Sequence, residues 1–320
     1  MKQVILQSPK QFKIGLERAK GVKIEGKFDN IIVGGMGGSA LPANILTTYL
    51  PDLPIPVYSH RSYGLPPQAN KRSLIFCISF SGNTEETLSA YREAVDKSFK
   101  VVAITTGGRL EKLAKEKDLP LVIVPNDCLQ PRFGIGYQSS ALLAVLSNSG
   151  VIENQTKALL DLSKILNPEK LEKQGKKLAE KLIDKIPVVY ASDRHKSIAR
   201  IWKIKLNENS KIMAFFNYFP ELNHNEMVGL TNLKGKFHFI ILRDNSDHSG
   251  NLKRMRLFAD LAKEKGAGVD FIDIEGRSVL EKMFNALLVG DWTSYYLALA
   301  YNQDPVPVKI VEEFKGRLKK

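Results

Sequence analysis

Two short stretches carry residues of the types and spacing that could hold an anion. Gly34-Gly35-Met36-Gly37-Gly38-Ser39 follows the apolar run NIIV and precedes SALPANILTTYL, which has helical periodicity. At a strand-to-helix junction of this kind glycines let backbone amides approach an anion, and the helix end offers about half a positive charge. Ser79-Phe80-Ser81-Gly82-Asn83-Thr84-Glu85-Glu86-Thr87 follows the run SLIFCI and opens a second helical pattern. Here Ser79, Ser81 and Thr84 gather three hydroxyls around one glycine beside the orphan amides of a helix start, the inventory that a phosphate dianion uses. Asn83 and Glu86 stand in the spacing of a capping box. A well-capped helix is therefore the plainer reading of this loop, but it accounts for those two residues and leaves the three hydroxyls unexplained.

The first loop also satisfies the dinucleotide fingerprint at Gly35, Gly37 and Ala40. The acid expected after the next strand is missing, since PIPVYS runs through Ser59 into His60 and Arg61. Arg61 could receive a 2′-phosphate, so an NADP-dependent enzyme stays open as an alternative. His60, His195, His238 and His248 show neither H-E-x-x-H nor another metal-ligand spacing, and two cysteines cannot complete a zinc site. No metal and no cofactor are expected.

The elements that must position these loops read as strands alternating with helices. NIIVGG leads into a helix, PIPVYS follows, SLIFCISF leads into NTEETLSAYREAVDKS, KVVAITT into RLEKLAKEK, and LPLVIVP through a loop into QSSALLAVLSNSG. Such alternation implies a parallel sheet covered on both faces. Residues 153–185 are rich in Lys, Glu and Leu with no strand pattern, and read as one or two amphipathic connecting helices. A second series follows: IPVVYAS, the helical IARIWKIKLNEN, KIMAFFN, FHFIILR, the helix NLKRMRLFADLAKEKG, VDFIDIE, and a long apolar helix over about 278–301. DPVPVKIVEEFKGRLKK, with prolines at its start, ends the chain as a helix. The expected fold is α/β, two tandem doubly wound domains, with a front domain over 1–152 and a back domain over 153–320; the layout repeats although the residues do not.

At 320 residues and roughly 150 residues per domain, length agrees with two domains. The chain is 43% apolar and 25% charged, close to the globular norm, and no stretch has the length or apolar purity of a membrane span. Lys10, Lys13 and Arg18 interrupt any secretory apolar segment. Cys77 and Cys128 lie in or beside apolar runs, where a buried reduced thiol is the ordinary occupant, so a cytoplasmic setting is expected. The net charge of +13 raises the local concentration of anions of every kind. No basic block is interleaved with aromatics, so the charge reads as solvated helix faces, and neither a nucleic-acid nor a membrane partner is expected.

GGMGGSA together with ISFSGNTEET resembles the sugar-isomerase (SIS) domain, whose strand-to-helix loops hold phosphosugars. PRFGIGY at 131–137, LNENSK at 206–211, FPELNHNEMVG at 219–229 and the C-terminal DPVPVKIVEEFK extend the resemblance along nearly the whole chain, to the bifunctional phosphoglucose/phosphomannose isomerase family. The resemblance implies two SIS-type domains and an aldose–ketose isomerase acting on glucose 6-phosphate, mannose 6-phosphate and fructose 6-phosphate. It further implies that Glu208 shuttles a proton between the first two carbons through an enediol. Arg132 would stabilise the enediolate oxygen, and His224, supplied across the interface of a homodimer, would help open the sugar ring together with Lys315. Gly37, Gly38, Ser39, Ser79, Ser81 and Thr84 would contact the phosphate. In isolation Glu208 would read as a solvated helix-end acid, His224 as an exposed loop histidine, and Arg132 and Lys315 as surface cations. One departure stands out: Val306 occupies the middle of the Pro-x-Pro where the family often carries Thr, which bears on whether mannose 6-phosphate is accepted.

Two other functions use the same loops. Amino-sugar phosphate isomerisation needs the same phosphate grip and separates by substrate. A phosphosugar-sensing regulator would carry a helix-turn-helix, for which the residues ahead of the first strand, about 28 in number, are few.

Overall fold

The computed structural model describes residues 1–318. The chain forms two compact units, one spanning Leu6–Leu166 and the other comprising Met1–Ile5 with the chain from Asn167 onward. Their division lies beyond the boundary expected at 152/153. The helix that follows that point buries Leu159 and Leu162 and packs on an N-terminal helix of the front unit, so it stays with that unit.

After α1 (Lys2–Gln7), most of which belongs with the back unit, the front unit runs α2 (Lys10–Arg18), β1 (Asn30–Gly34), α3 (Leu41–Tyr49), β2 (Val57–His60), β3 (Ser73–Ser79), α4 (Glu85–Asp96), β4 (Lys100–Thr105), α5 (Gly108–Glu116), β5 (Leu121–Ile123), α6 (Ile135–Asn148) and α7 (Thr156–Ile165). The strands lie in the order β2-β1-β3-β4-β5, all neighbours parallel. Every residue of β1 and β3 is buried. That follows from uninterrupted apolar runs such as Leu74–Ile78, which leave no face for water. The N-terminal stretch, in which Lys10, Lys13 and Arg18 interrupt the apolar residues, is helical: α2 buries Gln11, Phe12 and Gly15 and packs on α6.

The back unit runs α8 (Pro168–Leu182), β6 (Ile186–Ser192), α9 (Lys196–Ser210), β7 (Phe215–Phe219), β8 (Phe237–Arg243), α10 (Ser249–Glu264), β9 (Gly268–Asp273), α11 (Val279–Ala300) and α12 (Lys309–Leu318). Its four parallel strands have the order β7-β6-β8-β9. The rings of Tyr190, Phe219, Phe239 and Phe258 form its core, with centroid separations of 5.1 Å to 5.9 Å among the pairs that touch. The strand expected at KIMAFFN begins later, at Phe215, because Lys211 adopts a left-handed conformation that ends α9 and the chain needs the next residues to turn. Among the described residues no helix is long and apolar enough to cross a membrane.

In both sheets a central strand has its successors on opposite sides, β2 and β3 beside β1, β7 and β8 beside β6. The helices that follow the central strand and its later successor, α3 and α4 after β1 and β3 and α9 and α10 after β6 and β8, leave a crevice outside the carboxyl ends of the strands, where open α/β sheets bind ligands. Each unit thus has one such crevice, and their residues differ.

Candidate active site

In the front unit the crevice lies between the carboxyl ends of β1 and β3, and the two loops singled out above are the loops that line it. The first becomes a 3-10 turn over Gly37–Ala40 that runs straight into α3. Its packing explains the glycine at position 38: a Cβ there would come within 2.6 Å of Arg132 N and 2.7 Å of Pro131 C. Only a hydrogen lets the loop lie against the turn Pro131–Phe133, so Gly38 and Arg132 are brought together by backbone contact. Arg132 is 1% exposed, with its guanidinium 4.6 Å from the centroid of the Phe133 ring.

The second loop is tied to the first, because Ser39 Oγ accepts from Phe80 N at 2.9 Å. Ser79 Oγ donates to Thr84 Oγ1 at 3.0 Å, and Asn83 N donates to Ser81 Oγ at 3.3 Å. A hydroxyl that already accepts a bond keeps its own proton for another partner. Ser39, Ser81 and Thr84 are therefore poised as donors, and Ser79, fully buried, acts by holding Thr84. Gly82 sits at φ +66° with its Cβ position only 1.8 Å from Gly107 O, a place no other residue fits.

The expected capping box is not formed. Thr84 occupies the N-cap position of α4 without a side-chain cap bond. Asn83 Oδ1 instead accepts from Arg109 N in the first turn of α5, while Asn83 Nδ2 donates to Ser81 O. Asn83 thus locks the β3 loop to the loop after β4. That third loop went unmarked in the sequence although its Gly107-Gly108 pair follows a strand. Thr106 donates to Phe80 O from both its backbone N (3.1 Å) and its hydroxyl (2.7 Å), and Leu110 N donates to Gly82 O at 2.9 Å. A second unmarked residue is Gln11 of α2, buried, whose Nε2 donates to Phe133 O at 2.7 Å and whose Oε1 accepts from Gly136 N at 3.1 Å. It fastens the turn that carries Arg132, and its sequence separation of 122 residues leaves no local signal. Arg61, the residue that kept the dinucleotide reading open, donates to Asn44 Oδ1 at 2.7 Å.

In the back unit Glu208 lies half-buried on the last turn of α9. Lys211 follows at φ +60°, and its Nζ donates to Glu208 O at 2.5 Å and Pro307 O at 2.7 Å. The Pro305-Val306-Pro307 segment is thereby clipped to the turn that presents Glu208. His224 is exposed on the 3-10 turn Glu221–His224 after β7. Lys315 is exposed on α12, 2.9 Å from Glu312.

The back crevice, between the ends of β6 and β8, is filled by the protein's own charges. Asp244 lies 3.2 Å from His195 Nε2 and 2.8 Å from Lys282 Nζ, and Ser192 Oγ donates to Asp247 Oδ1 at 2.9 Å. With two carboxylates taking up its hydroxyls and cations, it is unsuited to an anion. Burial pushes the Asp244 carboxyl up, but bonds from His195, Lys282 and Ser246 outweigh it and hold the group well below the usual carboxylate range; Asp247, buried beside Asp244, is pushed the other way. A depressed folded-state pKa stabilises above the unfolded value of about 3.9 and is lost as pH falls below it. The urea midpoint should therefore drop as pH is lowered from about 4 toward 2, and Asp244→Asn should flatten that drop. Parallel curves for the two proteins would contradict this reading.

Among the described residues no three His, Cys, Asp or Glu side chains are grouped so that they could hold a metal ion. Cys77 and Cys128 are free and buried, and burial pushes both thiols up to about 12, away from reactivity.

Comparison with known proteins bears on this geometry. A family model described as the bacterial phospho-glucose isomerase C-terminal SIS domain matches residues 171–318. The bifunctional phosphoglucose/phosphomannose isomerase of Caldicellulosiruptor bescii is 40% identical over 326 residues, covering 98% of this chain and 96% of its own. A D-glucosamine-6-phosphate 4-epimerase of Sulfolobus acidocaldarius is 30% identical over 290 residues, covering 90% and 89%. The C-terminal domain of glucosamine-fructose-6-phosphate aminotransferase from Francisella tularensis has a similar fold, with a TM-score of 0.73 at 15% identity over 96% of this chain and 97% of that one. Near-complete coverage at this identity, on a two-sheet fold with hydroxyl-lined glycine loops at one crevice, places the chain: it belongs to the bifunctional phosphoglucose/phosphomannose isomerase family.

Proposed function

We propose that this chain interconverts glucose 6-phosphate and mannose 6-phosphate with fructose 6-phosphate by proton transfer between C1 and C2, without a metal or cofactor, in the cytoplasm. Gly37, Gly38, Ser39, Ser81 and Thr84 hold the phosphate, with Ser79 behind them. In the open-chain aldose Glu208 takes the C2 proton and electrons flow to O1. Arg132 steadies the negative enediolate oxygen, and Glu208 returns the proton at C1 while a proton moves from O2 to O1 to leave the ketose. His224 and Lys315 assist ring opening. His224 acts on the site of a second copy, and its exposure close in sequence to Phe215, Phe216 and Val228, themselves outward-facing, supports a homodimer.

The observation that carries the reading is the joined pair of glycine loops, in which three hydroxyls accept bonds from the protein and retain protons for an anion. An amino-sugar phosphate substrate is the second reading, favoured by the relative named for D-glucosamine-6-phosphate. A substrate panel in the presence of a chelator separates them. The hexose reading expects glucose 6-phosphate and fructose 6-phosphate to interconvert at full rate with chelator, and mannose 6-phosphate to react more slowly because Val306 replaces a hydroxyl worth about 1 kcal/mol, or about fivefold. Turnover of glucosamine 6-phosphate alone would overturn it.

A further inference from the structure

Helix α9, whose last turn carries Glu208, lies along α11 and meets it through buried polar contacts. Trp202 Nε1 donates to Ala286 O at 2.9 Å, Lys205 Nζ pairs with Asp291 Oδ2 at 2.5 Å and donates to Leu287 O at 3.3 Å, Asn209 Nδ2 donates to Ser294 Oγ at 2.9 Å, and Ser210 Oγ donates to Ser294 O at 2.8 Å. Residues 202, 205 and 209 share one helix face, and their partners on α11 advance with them, so the contacts form one seam. Lys205 is 1% exposed and the Asp291 side chain 14%. A pair this buried is a weak source of stability, because desolvation of the two ions offsets their attraction. What it fixes is geometry: at low dielectric the ammonium and the carboxylate tolerate little displacement, and the rest of the seam agrees with the position they set.

We propose that the Lys205–Asp291 pair positions Glu208, by setting the rotation and height of the last turn of α9 against α11. The proposal rests on Glu208 being the base. At 100° per residue Glu208 stands about 60° around the helix from Lys205, at the margin of the buried seam. A small rotation of α9 in one sense buries its carboxylate, and in the other swings it away from the reacting carbon. Neither Lys205 nor Asp291 touches the reacting atoms, so both are positioning residues.

Two variants test this. Lys205→Met/Asp291→Leu replaces the pair with apolar groups of similar length and leaves no buried unpaired charge. Asp291→Glu keeps the pair but displaces it by one methylene. Both are expected to fold and to bind phosphosugar with KM within about threefold of the parent, while kcat falls about 10- to 100-fold and solvent deuterium exchange at C2 slows in parallel. A kcat equal to the parent's in either folded variant overturns the proposal, as does failure of both to fold, which would make the pair structural. Glu208→Gln serves as the separate control. Full activity in that protein defeats the assignment of the base, whereas an inactive Glu208→Gln beside a fully active double variant defeats only the positioning role.

Discussion

Glu208→Gln is expected to lower kcat by about 10²- to 10⁴-fold while leaving the thermal midpoint and the KM for fructose 6-phosphate close to those of the parent. The carboxamide has nearly the shape of the carboxylate but cannot accept and return a proton. Structural causes of inactivity are few at this position. Glu208 is half-buried on a terminal turn whose backbone is held by other groups: Lys211 Nζ on its carbonyl, Asn207 Nδ2 on Ile212 O at 2.8 Å, and the Asn209–Ser294 contact. Steady-state kinetics and a melting curve on the same preparation check it. A variant that melts normally and turns over normally removes Glu208 from the mechanism.

Gly82→Ala carries the second large effect, on stability and on substrate affinity together. A left-handed conformation costs a residue with a side chain about 1–2 kcal/mol. Here the added methyl also meets Gly107 O, so the loop after β4 must move and loosen the bonds of Thr106 to Phe80 O and of Leu110 to Gly82 O. A combined loss of about 3 kcal/mol corresponds to a fall of roughly 6–12 °C in the melting midpoint of a unit of this size. KM should rise, because Ser81 and Thr84 flank the displaced residue, and kcat should fall less. An unchanged midpoint and KM would mean that the β3 loop neither depends on Gly82 nor grips the substrate.

The parts of the fold that could be read from sequence are those whose signal is local. β3, β6 and β8 each carry an apolar run, Leu74–Ile78, Val188–Ala191 and Phe239–Leu242, and burial on both faces of a parallel sheet demands such runs. α11 was legible for the same reason, being long and apolar nearly all round. The glycine and hydroxyl loops were legible because a strand-to-helix junction has few uses for that composition. Asn83 shows where local reading stops: its spacing to Glu86 fits a cap on its own helix, yet the structure uses it to cap α5, which another strand separates from it. α2 was missed because its buried face is made of Gln11, Phe12 and Gly15, where a polar residue and a glycine hide the helical period. Lys205 and Asp291 look like ordinary surface charges in KIKLNENS and VGDW; only the packing of α9 on α11 makes them a buried pair.

The proton transfer itself can be watched directly. Fructose 6-phosphate is incubated with the protein and chelator in D2O, and the glucose 6-phosphate formed is examined by proton NMR. Deuterium is expected at C2, incorporated by the parent and absent with Glu208→Gln over the same time. Formation of glucose 6-phosphate at the parental rate by Glu208→Gln, or no formation by the parent, would contradict the account.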